Sequence, residues 1–438
     1  MPTTVEWTRF KRYARRMREL GLDLSDEPIP LDVLSVLQLR ALNEPLLPNL
    51  KTVQFKKATA DIIPFIPLFL PHRTTDIDIY SNTTPPAVMV ASMVINLPKL
   101  CPQMQSISLQ PLPIDSTITS ATSEMLLTCN LNTLQFFLVD SSLTEEGRQV
   151  VFRLPNLRGL WSVLTEPTSL PAVSLPNLVH LDIEYHHDHD WLRAFHGTTL
   201  SKLEEVTFHA KHNQIGDFLE AFEDVALATS AYATISRFRF CTSHSWNPSY
   251  YSLLSFKQLK ELVVEFSCEN GCSSKVDDEI ITALAQAMPK LEILQIGGPP
   301  CQAPSDVTIQ RLIALAHHCL GLSMLRIHFQ TDSLVVALIN EAIPSPSSGE
   351  SRLPREDCAL ASLEVGEIPV PEQHMLPIVL TLLRVFPRLR NIEYIDEGWE
   401  EVENTIRLSS QIGSLVQHSL CALHAGNPLE DERADSDL

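Results

Sequence analysis

The feature that most constrains this chain is a repeat. The pattern apolar-x-x-apolar-x-apolar recurs with its first position at Met17, Leu50, Met104, Leu131, Leu157, Leu178, Leu203, Ile235, Leu259, Leu291, Leu322, Leu360 and Leu389. A weaker copy, TTDIDIY, starts at Thr74 and makes fourteen. The span from Met17 to Leu389 is 372 residues in thirteen intervals, about 29 residues each. Strings of the form LPNL open several copies, at 47–50, 154–157 and 175–178, with LPKL at 97–100, MPKL at 288–291 and FPRL at 386–389. Each copy reads as a short β segment whose alternate side chains face opposite ways, so Leu181 and Ile183 point inward while Asp182 and Glu184 point outward.

Amphipathic helical patterns lie between the β segments. Ile215, Phe218, Leu219, Phe222 and Val225 fall on one helix face, and Val276–Met288 and Ser305–Cys319 read the same way, with Ser305 a candidate N-cap. Pro289 and Pro387 end helices before the next β segment. A β–helix unit of this length cannot bury its own apolar faces, but units stacked side by side can. An α/β solenoid follows, with about 14 units and a curved parallel sheet on its concave face. The competing architecture is a pair of α/β domains, whose parallel strands would be apolar on both faces. Here polar residues alternate with apolar ones.

The pattern resembles leucine-rich repeats of the long, helix-containing kind, over roughly residues 15–400. Such repeats carry Asn or Cys after the last apolar position, with two residues between. That place holds Asn82 once, and otherwise Ser25, Ala58, Thr165, His186, Lys211, Ser267 and others, so the usual ladder is missing and an irregular solenoid is expected. A narrower resemblance lies in Trp7-x-x-Phe10-x-x-Tyr13-Ala14-Arg15-Arg16-Met17-Arg18-x-Leu20, followed by LLPNLKTVQF, and in WLRAF at 191–195 followed by LSKLEEVTF. These strings resemble the stretch just after the F-box in F-box/leucine-rich-repeat proteins of the large mushroom-forming-fungus families. The resemblance implies a substrate receptor of a cullin-type ubiquitin ligase, with the F-box itself expected to be missing. An adaptor partner is expected only if an F-box is supplied or cryptic. Ile29–Leu37 faintly resembles the opening of an F-box, but a β segment starts soon after it, and the helix of the first repeat is the preferred reading.

The chain is expected to be one solenoid over 1–426, with a capping helix at about 5–20, a Pro/Ser-rich flexible insertion at about 341–357, and a disordered acidic tail over 427–438. The basic face of the capping helix, Arg9 to Arg18, reads as the polar outside of an end unit. There are 33 Lys+Arg against 53 Asp+Glu, a formal charge of −20, which argues against nucleic acid or an anionic membrane as partner. Nine scattered cysteines and a basic N-terminal run with no apolar stretch after it point to a cytoplasmic or nuclear protein.

No catalytic or cofactor motif is present, and no cofactor, metal or enzymatic activity is expected. His186-His187-Asp188-His189-Asp190 is the most metal-like string, but adjacent loop residues rarely converge on one ion. Cys268 and Cys272 lack a second cysteine pair, and His317-His318-Cys319 suits a helix C-terminus. The outward residues of the β segments are the candidate partner-binding surface. They include Asp76, Asp78 and Tyr80; Phe137; Trp161; His180, Asp182 and Glu184; and Glu205 and His209. Arg237, Arg239, Glu261, Glu265, Arg326 and His328 complete the set. Phe137 and Trp161 are expected as an exposed aromatic pair, and Lys211 as a residue of the opposite, convex side. The expected molecule is a monomeric protein-recognition module, with a leucine-rich-repeat scaffold or effector-type binding protein as the alternative.

Overall fold

The computed structural model describes residues 3–24, 29–41, 45–81, 83–112, 115–129, 132–164, 175–186, 190–196, 198–211, 218–243, 248–266, 276–297, 306–327, 329, 358–365, 378–380, 382–383, 385–394 and 399–408. Leu131, Ile215, Ser305, His328, Cys268 and Cys272, most of the His-rich string (187–189), the 341–357 segment and the 427–438 tail lie outside the described residues.

The chain forms two compact units, Met1–Ser267 and Cys268–Leu438, where the repeat pattern leads one to expect a single array. In a repeat stack each unit touches only its neighbours, so no long-range contact obliges the whole chain to cluster as one body. The first unit holds strands β1 (Glu19–Asp23), β2 (Thr52–Ala58), β3 (Asp76–Ser81), β4 (Ser106–Gln110), β5 (Phe136–Val139), β6 (Gly159–Leu164), β7 (His180–Tyr185), β8 (Glu205–Ala210), β9 (Arg237–Thr242) and β10 (Glu261–Phe266). Within it each strand pairs in parallel with the next in chain order. The second unit repeats this with β11 (Ile293–Ile296), β12 (Met324–Ile327), β13 (Ser362–Glu364) and β14 (Asn391–Glu393). Each unit is thus a stretch of α/β repeat solenoid of the leucine-rich-repeat kind.

The helices of the first unit are α1 (Thr4–Ala14), α2 (Leu31–Arg40), α3 (Ala87–Leu100), α4 (Ser116–Thr128), α5 (Glu145–Val151) and α6 (Phe218–Ala228). The second unit holds α7 (Asp278–Ala287) and α8 (Ile309–His318). Shorter 3-10 segments take the helix position elsewhere, at Ile63–Phe69, Asp190–Phe195 and Tyr250–Leu253. The Ile29–Leu37 stretch enters α2, between the paired strands β1 and β2.

The inward positions form the core. Leu178, Leu181, Ile183 and Tyr185 are buried, as are Leu203, Val206, Phe208 and Ala210. On α6, Phe218, Leu219, Phe222 and Val225 are buried, as their spacing predicts. Phe208 of β8 lies edge-on to Phe218 at 4.9 Å and to Phe222 at 5.3 Å, and Phe222 reaches Phe238 of β9 at 5.2 Å. This aromatic stack ties one helix to two neighbouring strands, beyond the stabilisation from burial alone.

Three expectations about boundaries change. The capping helix ends at Ala14, not near residue 20, because Glu19 and Leu20 open β1 and the Arg18 carbonyl accepts the N–H groups of Lys51 and Thr52. The sheet ladder satisfies these groups better than another frayed turn. Helix α8 starts at Ile309 with Thr308 at its N-cap, and Thr308 gives its N–H and hydroxyl to Asp278 on α7. The strand expected to follow Leu131 follows Leu134 instead, with consequences for the binding face.

Candidate protein-binding face

The side of the first unit's sheet opposite its core carries three rows of side chains, set by strand register, in which Val163, Glu261 and Val263 are buried as well. One row runs Phe136, Gly159, His180, Glu205, Arg237, Glu261. The next runs Leu138, Trp161, Asp182, Thr207, Arg239, Val263. A third runs Val163, Glu184, His209, Cys241, Glu265.

Phe137 is not on this face. It is fully buried, and Phe137 and Val139 are the inward residues of β5, with buried Leu134 two residues before the strand. The segment LNTLQFFLV fits the repeat pattern in two frames three residues apart, starting at Leu131 or at Leu134. An odd shift exchanges the two faces of a strand. The frame found places Phe136 and Leu138 outward and half-buried. The aromatic pair on the face is therefore Phe136 and Trp161. A Cβ added at Gly159 would lie 2.6 Å from the Phe136 ring, so the missing side chain at 159 is what lets that ring lie against β6. Trp161 is half-buried, and its indole Nε1 is buried without a hydrogen-bond acceptor among the described residues.

Beside this apolar patch the charges are paired across strands. Glu205 accepts from His180 Nδ1 at 3.1 Å and from Arg237 at 3.4 Å. Glu261 is nearly buried and accepts from Arg239 Nε at 2.6 Å, with Arg237 Nε at 3.9 Å. The His209 imidazole lies 3.5 Å from Asp182 Oδ1. The Asp182 carboxylate, followed by the Cys241 sulfur, raises the His209 pKa to about 10 against the opposing effect of burial. Glu184 meets His186 Nε2 at 3.0 Å and Lys211 Nζ at 3.8 Å. Lys211 is thus at the margin of this face, not on the opposite side. Burial, and then the charge of Glu184, raises the pKa of Asp140, a residue the repeat frame had not singled out.

The remaining candidates fall into place by register. Asp76, Asp78 and Tyr80 are outward on β3; Tyr80 is exposed and Asp78 accepts from Gln54 Nε2 at 2.8 Å. Cys241 Sγ lies 3.7 Å from Glu265. In the second unit Arg326 pairs with Glu364, its register partner on β13, at 2.5 Å. Among the described residues no three His, Cys, Asp or Glu side chains form a metal-ligating group. No described helix is long and apolar enough to cross a membrane.

A ladder does exist, at the opposite strand end from the usual one. The Asn before the first apolar residue donates Nδ2 to a carbonyl of the preceding unit: Asn49 to Arg15 at 2.7 Å, Asn156 to Asn132 at 2.9 Å and Asn177 to Pro155 at 2.8 Å. Where that position holds Thr, its shorter arm reaches a nearer carbonyl, Thr133 to Met104 at 2.9 Å and Thr234 to Leu203 at 2.7 Å. The Asn of the LPNL strings was the visible signal.

No family model matches the sequence, and no curated protein matches it. Among solved structures the chain is similar to one in the crystal structure of the Rad7 and Elc1 complex in yeast, at 16% identity and a TM-score of 0.40, over 66% of this chain and 77% of that one.

Proposed function

We propose that this chain is a non-enzymatic recognition protein, and that the outward face of β5 to β10 binds a protein partner. The observation that carries the proposal is the juxtaposition of a half-buried aromatic–aliphatic patch, Phe136, Leu138 and Trp161, with a field of cross-strand charge pairs. Interfaces combine such an apolar centre with a polar rim, and Trp is prominent among the residues whose truncation costs most binding energy. The resemblance of the N-terminal and WLRAF strings to F-box/leucine-rich-repeat proteins supports the narrower reading, a substrate receptor of a cullin-type ubiquitin ligase.

The test is affinity capture followed by quantitative binding with the purified partner. Trp161→Ala should weaken binding at least about tenfold, roughly 1.4 kcal/mol or more. Glu220→Ala, an exposed change on α6, should do nothing. If Trp161→Ala lowers the melting temperature while binding per folded molecule is unchanged, the aromatic is a packing residue and the proposal fails. Co-purification with the ligase adaptor distinguishes the receptor role from that of a scaffold.

A further inference from the structure

We propose that the first unit has a second binding site, at the N-terminal ends of β4 to β8, which takes an anionic peptide segment. A groove of about 560 Å³ runs along this edge. Its lining includes the amides of Gln105, Gln135, Asn156 and Asn177 and the cations Arg158 and Lys202, with no acid among the described residues. That composition is notable in a chain of formal charge −20. The volume falls within the range of ligand-sized clefts.

The groove is built rather than incidental. Asn156 and Asn177 are rungs of the ladder, so their side-chain orientation is set by backbone carbonyls of the preceding unit. Lys202 Nζ is held by Asn177 Oδ1 at 2.6 Å. Arg158 is exposed, with no ion-pair partner among the described residues. The two cations stand just before β6 and β8, whose backbones are separated by two strand spacings of about 4.8 Å each. Toward β1 the same edge continues with Lys51 and Arg73, and its acid, Glu204, lies outside the lining. The preorganised donors cost little further ordering when an anion arrives.

A peptide suits the groove better than RNA. Among the described residues the lining holds no aromatic side chain on which a base could stack. Amide side chains offer donors and acceptors together, as a peptide backbone requires, while the cations meet carboxylates or phosphates. The overall negative charge opposes a long polyanion but much less a short segment bound locally.

The experiment is fluorescence anisotropy on the full chain with four labelled twelve-residue probes. These are a peptide with a central Asp/Glu run, a phosphoserine peptide of equal charge, a neutral Asn/Ser peptide and an oligouridylate. One or both acidic peptides should bind at least about tenfold tighter than the neutral peptide, with affinity falling as salt rises. Which of the two binds better identifies carboxylate or phosphate as the anion. Arg158→Glu/Lys202→Glu should abolish the preference, and Arg158→Gln/Lys202→Gln should reduce it with an unchanged melting temperature. Glu220→Ala should bind as the unaltered chain does. Equal binding of the neutral peptide, full binding by the folded Gln variant, or tighter binding of the oligouridylate would overturn the proposal.

Discussion

Removing Arg239 should destabilise the first unit more than removing Arg237, although the two arginines are two residues apart and equally exposed to casual inspection. The difference lies in Glu261. Its side chain is only 10% exposed, whereas the arginines are about half exposed, at 49% and 55%. Arg239 gives it a hydrogen bond at 2.6 Å, while Arg237 approaches only to 3.9 Å and spends its other contact on Glu205. Breaking a fully buried ion pair by deleting one partner costs about 3–5 kcal/mol, while an exposed pair is worth about 0–1 kcal/mol. Arg239 is half in solvent and Arg237 remains nearby, so Arg239→Ala should cost about 1.5–2 kcal/mol and Arg237→Ala less than about 1 kcal/mol. In thermal unfolding the Arg239→Ala loss corresponds to a shift of about 3–8 °C in the transition of the first unit. Adding Glu261→Gln should recover part of the loss, because a neutral amide is easier to leave buried than an unpaired carboxylate. A thermodynamic cycle over the pair should give a coupling near 1 kcal/mol. Equal shifts for the two arginine variants, or a double variant that loses the sum of both single losses, would refute this account.

Two further outcomes follow from the same geometry. The His209 pKa is raised from its ordinary 6.5 to about 10, so the protonated ring favours the folded state; that contribution is complete below about pH 6.5 and is lost as pH climbs through 10. His209→Gln should therefore flatten the decline in melting temperature over this window relative to the unaltered chain, by a modest amount because the ring is partly solvated, and an identical pH profile for both would contradict the Asp182–His209 pairing. Gly147→Ala should lower stability by about 1 kcal/mol despite the better helix propensity of Ala, because the new Cβ would lie 2.9 Å from Ser123 Cβ and 3.2 Å from its Cα, between α4 and α5; a raised melting temperature would show that the helices separate freely.

Much of the architecture was legible in the residues themselves. Thirteen of the fourteen repeat starts stand two residues before a strand, as Leu178 precedes His180 and Leu259 precedes Glu261. In/out alternation is a local property with period two, so Leu181 and Ile183 announce their face without reference to any neighbour. The same locality made LNTLQFFLV ambiguous. Both frames alternate equally well, and only packing, which buries Phe137 and leaves Phe136 against Gly159, selects one. The tertiary structure also decided which charges meet. Glu205 and Arg237 are 32 positions apart and become neighbours only through the register of β8 against β9. The asparagine rungs likewise join residues 22 to 34 positions apart, across a step whose length varies from one repeat to the next. Periodicity along the chain determines that strands form and which way they face. It carries no information about how far one strand slides along the next, and that register is what assembled the patch, the ion pairs and the groove.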